Sequence, residues 1–267
     1  MSWQPCAEIV ERADPDRFLS AMTASEAGRA ALFPLYAFNA EVAKAPWVTS
    51  EPGLAEIRLQ WWRDAIGEIY AGAEPRRHEV VTPLAEVIGA RNLPRFAFDA
   101  LIDARAFDIY EAGHVGTAAL DAYLAATSAG LMELAMRSTG GDAVDLARGT
   151  GWAQGAAGLM RALPVLWSSG RDPLPVPGGL DRQAVLAGKM PDAVAKVLRD
   201  LAGRALDRIA PVPRDLPEDA KAALRAAWQA PRILRTVQRD PSAIFGRLDV
   251  SEFRRRGGLL VRTLRGR

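Results

Sequence analysis

Residues 51–71 read EPGLAEIRLQWWRDAIGEIYA, and this stretch sets the fold class. Leu54, Ile57, Trp61, Ala65 and Ile69 recur at helical spacing and form one apolar stripe. Leu59, Trp62, Ile66 and Tyr70 form a second stripe beside it. Glu56, Gln60, Arg63, Asp64 and Glu68 are left for a polar strip. A helix apolar over most of its circumference belongs inside a bundle, so this segment predicts a buried helix with helices around it. Ser50 before Glu51-Pro52 reads as its cap, and Gly72 marks its end.

Outward from this segment the same pattern continues. Alanine, leucine, arginine and glutamate, all strong helix formers, recur throughout, and valine and isoleucine do not gather into alternating runs. The spacing predicts helices at about 16–22, 25–46, 51–71, 78–91, 95–113, 117–139, 142–168, 191–210, 217–229, 231–239 and 250–264. The stretch 168–179, SSGRDPLPVPGG, is a loop. Neither this loop nor the prolines at 211, 213 and 217 form a flexible linker. An all-α bundle in one domain over 1–267 is expected, with residues 1–15 as a loose N-terminus and 250–267 as a basic C-terminal tail.

Composition excludes several classes of function. With 49% hydrophobic and 25% charged residues the chain is not disordered. A net charge of +2, from 34 basic and 32 acidic residues, argues against a nucleic-acid partner. Cys6 is the only cysteine, which excludes an internal disulfide and a cysteine-built metal site. It falls in the segment expected to be loose. His78 reads as a surface residue at a helix start and His114 as a turn residue, neither beside a nucleophile or carboxylate. No catalytic residue is assigned. The first fourteen residues show no signal-peptide pattern, and no apolar run approaches the roughly 18 residues of a membrane span, so a cytoplasmic location is expected. Charge is uneven, however. Residues 251–267 hold six arginines, at 254, 255, 256, 262, 265 and 267, against Glu252 alone. They flank the apolar run Gly257-Gly258-Leu259-Leu260-Val261, which suits peripheral contact with an anionic (inner) membrane surface.

Three segments together resemble the squalene/phytoene synthase family. They are Leu35-Tyr36-Ala37-Phe38-Asn39-Ala40-Glu41-Val42-Ala43-Lys44-Ala45-Pro46-Trp47, then Leu59-Gln60-Trp61-Trp62-Arg63-Asp64, then Gln154-Gly155-Ala156-Ala157-Gly158-Leu159-Met160-Arg161-Ala162-Leu163-Pro164, with Gly170-Arg171 following. The likeness runs over about residues 16–240 and implies an isoprenoid-synthase-like bundle around a central apolar cavity. It also implies head-to-head joining of two prenyl diphosphates, assisted by magnesium held on two Asp-rich motifs. In this sequence the first motif's acids align with Ala43, Lys44 and Trp47, and the second motif's with Ala162, Val165 and Leu166. Magnesium takes oxygen ligands, so both motifs have lost what holds it, and Lys44 is expected to put a positive charge in its place. The pattern Ala37-Phe38-Asn39, Glu41, Gln60-Trp61-Trp62, Ala153-Gln154-Gly155 and Leu159 to Pro164 is similar to the family's subgroup of respiratory complex I assembly factors.

The expected function is therefore binding of an isoprenoid or lipid, or of a protein partner, possible in assembly of complex I, with no metal and no cofactor. The alternative is an active prenyltransferase on farnesyl or geranylgeranyl diphosphate that uses Mg2+ and draws carboxylates from elsewhere, Asp99 and Asp103 being the available pair. Otherwise those two acids read as a solvated helix face with Arg105 as a pairing partner. The expected cavity or ligand-binding residues are Phe38, Asn39, Glu41, Lys44, Trp61, Trp62, Gln154, Arg161 and Arg171, with Met160 among the walls. Glu41 and Arg63 are also read as a buried pair within largely apolar helices.

Overall fold

The computed structural model describes residues 3–49, 51–110, 113–248 and 250–264. Among these the secondary structure is helical, with no strand. The helices are α1 (Gln4–Ala13), α2 (Pro15–Ala21), α3 (Glu26–Lys44), α4 (Pro52–Tyr70), α5 (Val81–Arg91), α6 (Arg95–Phe107), α7 (Gly116–Leu124), α8 (Gly130–Ser138), α9 (Val144–Ser168), α10 (Arg182–Leu186), α11 (Asp192–Asp207), α12 (Glu218–Arg225), α13 (Ala230–Arg239) and α14 (Glu252–Leu264). The N-terminal residues expected to be loose form α1, and Cys6 on it is fully buried, its Sγ donating to the Glu79 carbonyl oxygen at 3.3 Å. Ser50 lies outside the described residues, as do Arg265 and Arg267.

Local chemistry explains the helix ends. Ser25 caps α3 by accepting the Gly28 N–H, and Asp219 in turn accepts the Ser25 N–H at 2.8 Å and its hydroxyl at 2.6 Å. A Cβ on Gly28 would stand 2.5 Å from the Asp219 carboxyl carbon, so glycine lets α12 close on the start of α3. Asn92, at φ +46°, ends α5 in the left-handed conformation. Helix α6 ends at Phe107 rather than running on to 113. The Asp108 carbonyl is taken by Arg171, and its carboxylate by Arg105 and Tyr123.

One helix was expected over 117–139. The structure divides it into α7 and α8 by a π-helical turn, Ala125–Ala129. The turn packs against α9 where two glycines, one helical turn apart, leave room. A Cβ on Gly151 would meet the Ser128 carbonyl oxygen at 2.7 Å, and one on Gly155 the Ser128 Oγ at 2.6 Å. The extra backbone residue swings Thr127 and Ser128 toward the interior.

Two buried clusters make the core. The first joins α1, α3, α4, α5 and α6; the second joins α7, α9, α11, α12 and α13. Helix α8 lies between them, giving Leu131, Leu134 and Ala135 to the first and Met132 and Met136 to the second. Helix α4 is less enclosed than its sequence predicts. Ala55, Leu59, Trp62, Ala65 and Ile66 are buried, whereas Leu54 and Ile57 are exposed. One of its two apolar stripes faces inward and part of the other faces out.

Candidate functional site

A cavity of about 360 Å³ opens where the two clusters meet. Asn39 of α3, Trp47 of the following turn, the C-terminal end of α6, Tyr123 of α7, the π turn, the middle of α9, Arg171 to Pro173 and the start of α13 wall it. This size lies within the range of small-molecule sites. Helical periodicity decides which residues reach it. On α9, Gln154, Gly158, Arg161 and Ala162 share one face, and Leu166 continues it by another turn.

Much of the polar lining is paired. Arg105 donates to the Asp108 carboxylate at 3.1 Å and to the Tyr123 hydroxyl oxygen at 2.6 Å, while Tyr123 donates to Asp108 at 2.8 Å. Burial pushes the Tyr123 phenol above its ordinary range, so the neutral hydroxyl is the working form. His114 lies flat on Phe107 at 4.4 Å and against Tyr123 at 5.0 Å. Burial holds its imidazole below the usual value, and the nearby Asp108 charge offsets this only in part. Asp16 accepts from Arg161 at 3.0 Å and Gln229 at 2.7 Å, with Arg255 at 3.6 Å. Asp14 caps α2 and pairs with Arg17. Asp172 lies by the rim, where burial raises its carboxyl. Gln154 donates to the Ala226 carbonyl at 3.1 Å and so ties α9 to α12. At the mouth the Arg171 guanidinium stands 4.0 Å over the Trp47 ring, a close cation–π contact.

The structure separates the expected site residues into two places. Asn39, Gln154, Arg161 and Arg171 are on the cavity wall. Glu41, Lys44, Trp61 and Trp62 instead line a side pocket of about 310 Å³ with Ala45, Val48, Arg58 and His78. Positions 41, 44, 45 and 48 follow the opposite face of the α3 end from 39 and 47, which is why the two groups part. Lys44 therefore does not enter the cavity; it pairs with Glu41 at 3.2 Å. Phe38 and Met160 are fully buried and form no part of the cavity wall. Phe38 packs edge-on against Trp62 and Phe98, each at 5.4 Å. Glu41 and Arg63 are not partners, since Arg63 reaches Asp103 at 2.9 Å. Asp99 pairs with Arg95 at 3.1 Å, not with Arg105. His78 is half-buried against Trp61 and Trp62, ahead of α5, and accepts the Val80 N–H.

Sequence reasoning missed Asp14, Asp16, Arg17, Arg105, Asp108, His114 and Tyr123. The spacing of Arg105 and Asp108 is a pairing signal, but nothing local says that Tyr123 completes the group. Of the six positions aligned with the magnesium-holding acids, Trp47, Ala162 and Leu166 face the cavity. Val165 is 68% exposed and points away. Among the described residues no three His, Cys, Asp or Glu side chains come together as metal ligands. Asp14, Asp16 and Asp108 are held by arginines, so this donor set does not fit a magnesium cluster.

The model of the squalene/phytoene synthase family matches residues 10–254. The chain belongs to that family. Among curated proteins it is similar to NADH dehydrogenase (ubiquinone) complex I, assembly factor 6. The Bos taurus protein is 26% identical and the Homo sapiens protein 25% identical, each over 207 residues, 75% of this chain and 62% of the relative. The chain thus spans about three fifths of those relatives' length. The Mus musculus protein is 24% identical over 250 residues, 90% of this chain and 75% of the relative. Among solved structures, squalene synthase HpnC from Alicyclobacillus acidocaldarius superposes with a TM-score of 0.74 at 18% identity, covering 89% of this chain and 93% of that one. A dehydrosqualene synthase superposes with a TM-score of 0.75 at 13% identity, covering 98% and 95%. These last two likenesses establish the isoprenoid-synthase-like fold. No helix among the described residues is long and apolar enough to cross a membrane.

Proposed function

We propose that this member of the squalene/phytoene synthase family acts by binding and not by magnesium-dependent condensation of prenyl diphosphates, and that it serves the assembly of a respiratory NADH:ubiquinone oxidoreductase. The observation that carries the reading is the cavity face of the two motif helices. Trp47, Ala162 and Leu166 stand where the resemblance calls for carboxylates. A diphosphate leaving group carries about three negative charges in all and departs only when they are neutralised, which is the metal's task in such reactions. Asp14, Asp16 and Asp108 are engaged by arginines of the protein. The names of the curated relatives support the assembly role.

The cavity's apolar surfaces, Phe107, Leu124, Leu159, Leu166 and Ile233, suit an apolar chain such as an isoprenoid or lipid tail. Asn39 and Arg161 would meet a polar end. Two measurements test the reading. Purified protein incubated with magnesium and radiolabelled farnesyl or geranylgeranyl diphosphate should release no pyrophosphate; release at an enzymatic rate overturns it. A deletion strain should lose NADH-dehydrogenase activity while its isoprenoid products stay unchanged, and the reverse pattern favours the synthase.

A further inference from the structure

We propose that α14 is a docking helix that lies flat on an anionic lipid surface. The inference is independent of what the cavity binds. Its inner face is fixed to the body: Leu259 is buried, and Arg255, which also pairs with Glu252 of its own helix at 3.2 Å, reaches Asp16 at 3.6 Å. Its outer face carries Phe253, Leu260 and Leu264, which are 88%, 59% and 78% exposed. At about 100° per residue, spacings of seven and four put these three within roughly 20° of one line. Val261 widens the stripe on one side. Arg254 and Arg256 lie at its two edges.

An ordinary surface helix turns its polar side to water, and this one turns an apolar stripe outward. A single exposed leucine needs no explanation, but a stripe edged by cations has the form of an interfacial helix. Charge selects the occupant. Residues 251–267 hold six arginines and one glutamate. A second copy of the chain would set these arginines against their own kind, whereas anionic headgroups complement them. Because Arg255 touches Asp16 on the cavity wall, docking would bring that side of the cavity to the lipid surface.

The test is flotation of the full-length protein with phosphatidylcholine vesicles, with and without phosphatidylglycerol, at low and high salt. Binding should require phosphatidylglycerol and weaken with salt. Arg254→Gln with Arg256→Gln should weaken it about 30-fold at low salt, from roughly 1 kcal/mol per cation. Leu260→Ser with Leu264→Ser should weaken it at least as much and in a salt-independent way. All four positions are exposed, so thermal unfolding of both variants should match the parent. Absence of binding, equal binding to neutral vesicles, or binding untouched by either double variant overturns the proposal. So does light scattering that shows an oligomer which the leucine variant dissociates, since the stripe would then be a protein interface.

Discussion

Phe38 and Asn39 are neighbours in the chain and stand on opposite sides of one boundary. Phe38 is fully buried among rings, edge-on to Trp62 and Phe98. Asn39 borders the cavity, with Trp47 further along on the same side. The first cluster has filled its space with aromatic side chains. Beside it, the cavity keeps its space open behind a lining of arginine–aspartate pairs. The contrast separates two uses of the bundle: packing density holds the fold in one region, and paired charge keeps a hollow in the other.

The comparison predicts that substitutions on the two sides differ in kind. Phe38→Ala should cost about 3–5 kcal/mol, because it removes a fully buried ring and its contacts with Trp62 and Phe98. Denaturant unfolding measures it, and Asn39→Ala should stay within about 1 kcal/mol in the same experiment. Equal costs would mean that the cavity wall is packed as tightly as the core. The next effect concerns the contact between α9 and the π turn. Gly151→Ala should destabilise by about 1–3 kcal/mol, since its Cβ would meet the Ser128 carbonyl oxygen and the Ala129 Cα, neither of which can yield. Gly158→Ala on the same helix meets nothing within 4 Å and should stabilise by about 0.5–1 kcal/mol through helix propensity. The opposite signs isolate close approach from propensity.

The same boundary explains what was legible in the sequence. The helices could be read because their signals are local: apolar spacing, the proline at 52, the glycine at 72. The π turn was hidden because Gly151 and Gly155 act on residues two dozen positions upstream. The aromatic residues Phe38, Trp61 and Trp62 were expected to wall the cavity, yet Phe38 and Trp62 pack into the core and Trp61 borders a side pocket with Trp62. Ring size alone does not tell a filled space from an open one. Asn39, Gln154, Arg161 and Arg171 could be placed because they stand in the segments that carry the resemblance to the family. Tyr123 and His114 could not, since their partners Arg105, Phe107 and Asp108 meet them only through the fold.

His114 tests the cavity side through pH. Its folded imidazole titrates below the unfolded one, so the unfolded chain binds more protons as pH falls beneath about 6.5. The stabilisation is whole above that pH and is lost as the pH falls toward the folded value. The parent should therefore lose more stability between pH 8 and pH 5 than His114→Gln does, measured by denaturant midpoints at both pH values. An equal loss would show that protonated His114 is accommodated beside Asp108. Burial lowers the imidazole and Asp108 opposes it, and this comparison reads which of the two prevails.

The smallest effect is expected at the outer acids. Asp103 is 66% exposed and pairs with Arg63 across two helices. Ion pairs of this kind contribute about 0–1 kcal/mol, so Asp103→Asn should leave the unfolding midpoint nearly unchanged. It should also leave the lipid recovered with the purified protein unchanged, because neither Asp99 nor Asp103 borders the cavity. That second readout is the sharper one. If the substitution emptied the cavity, the two sides of the bundle would be coupled through α6, whose outer face carries Asp103 and whose C-terminal end carries Arg105 into the hollow. The division between filled core and open cavity would then be a property of the resting shape alone.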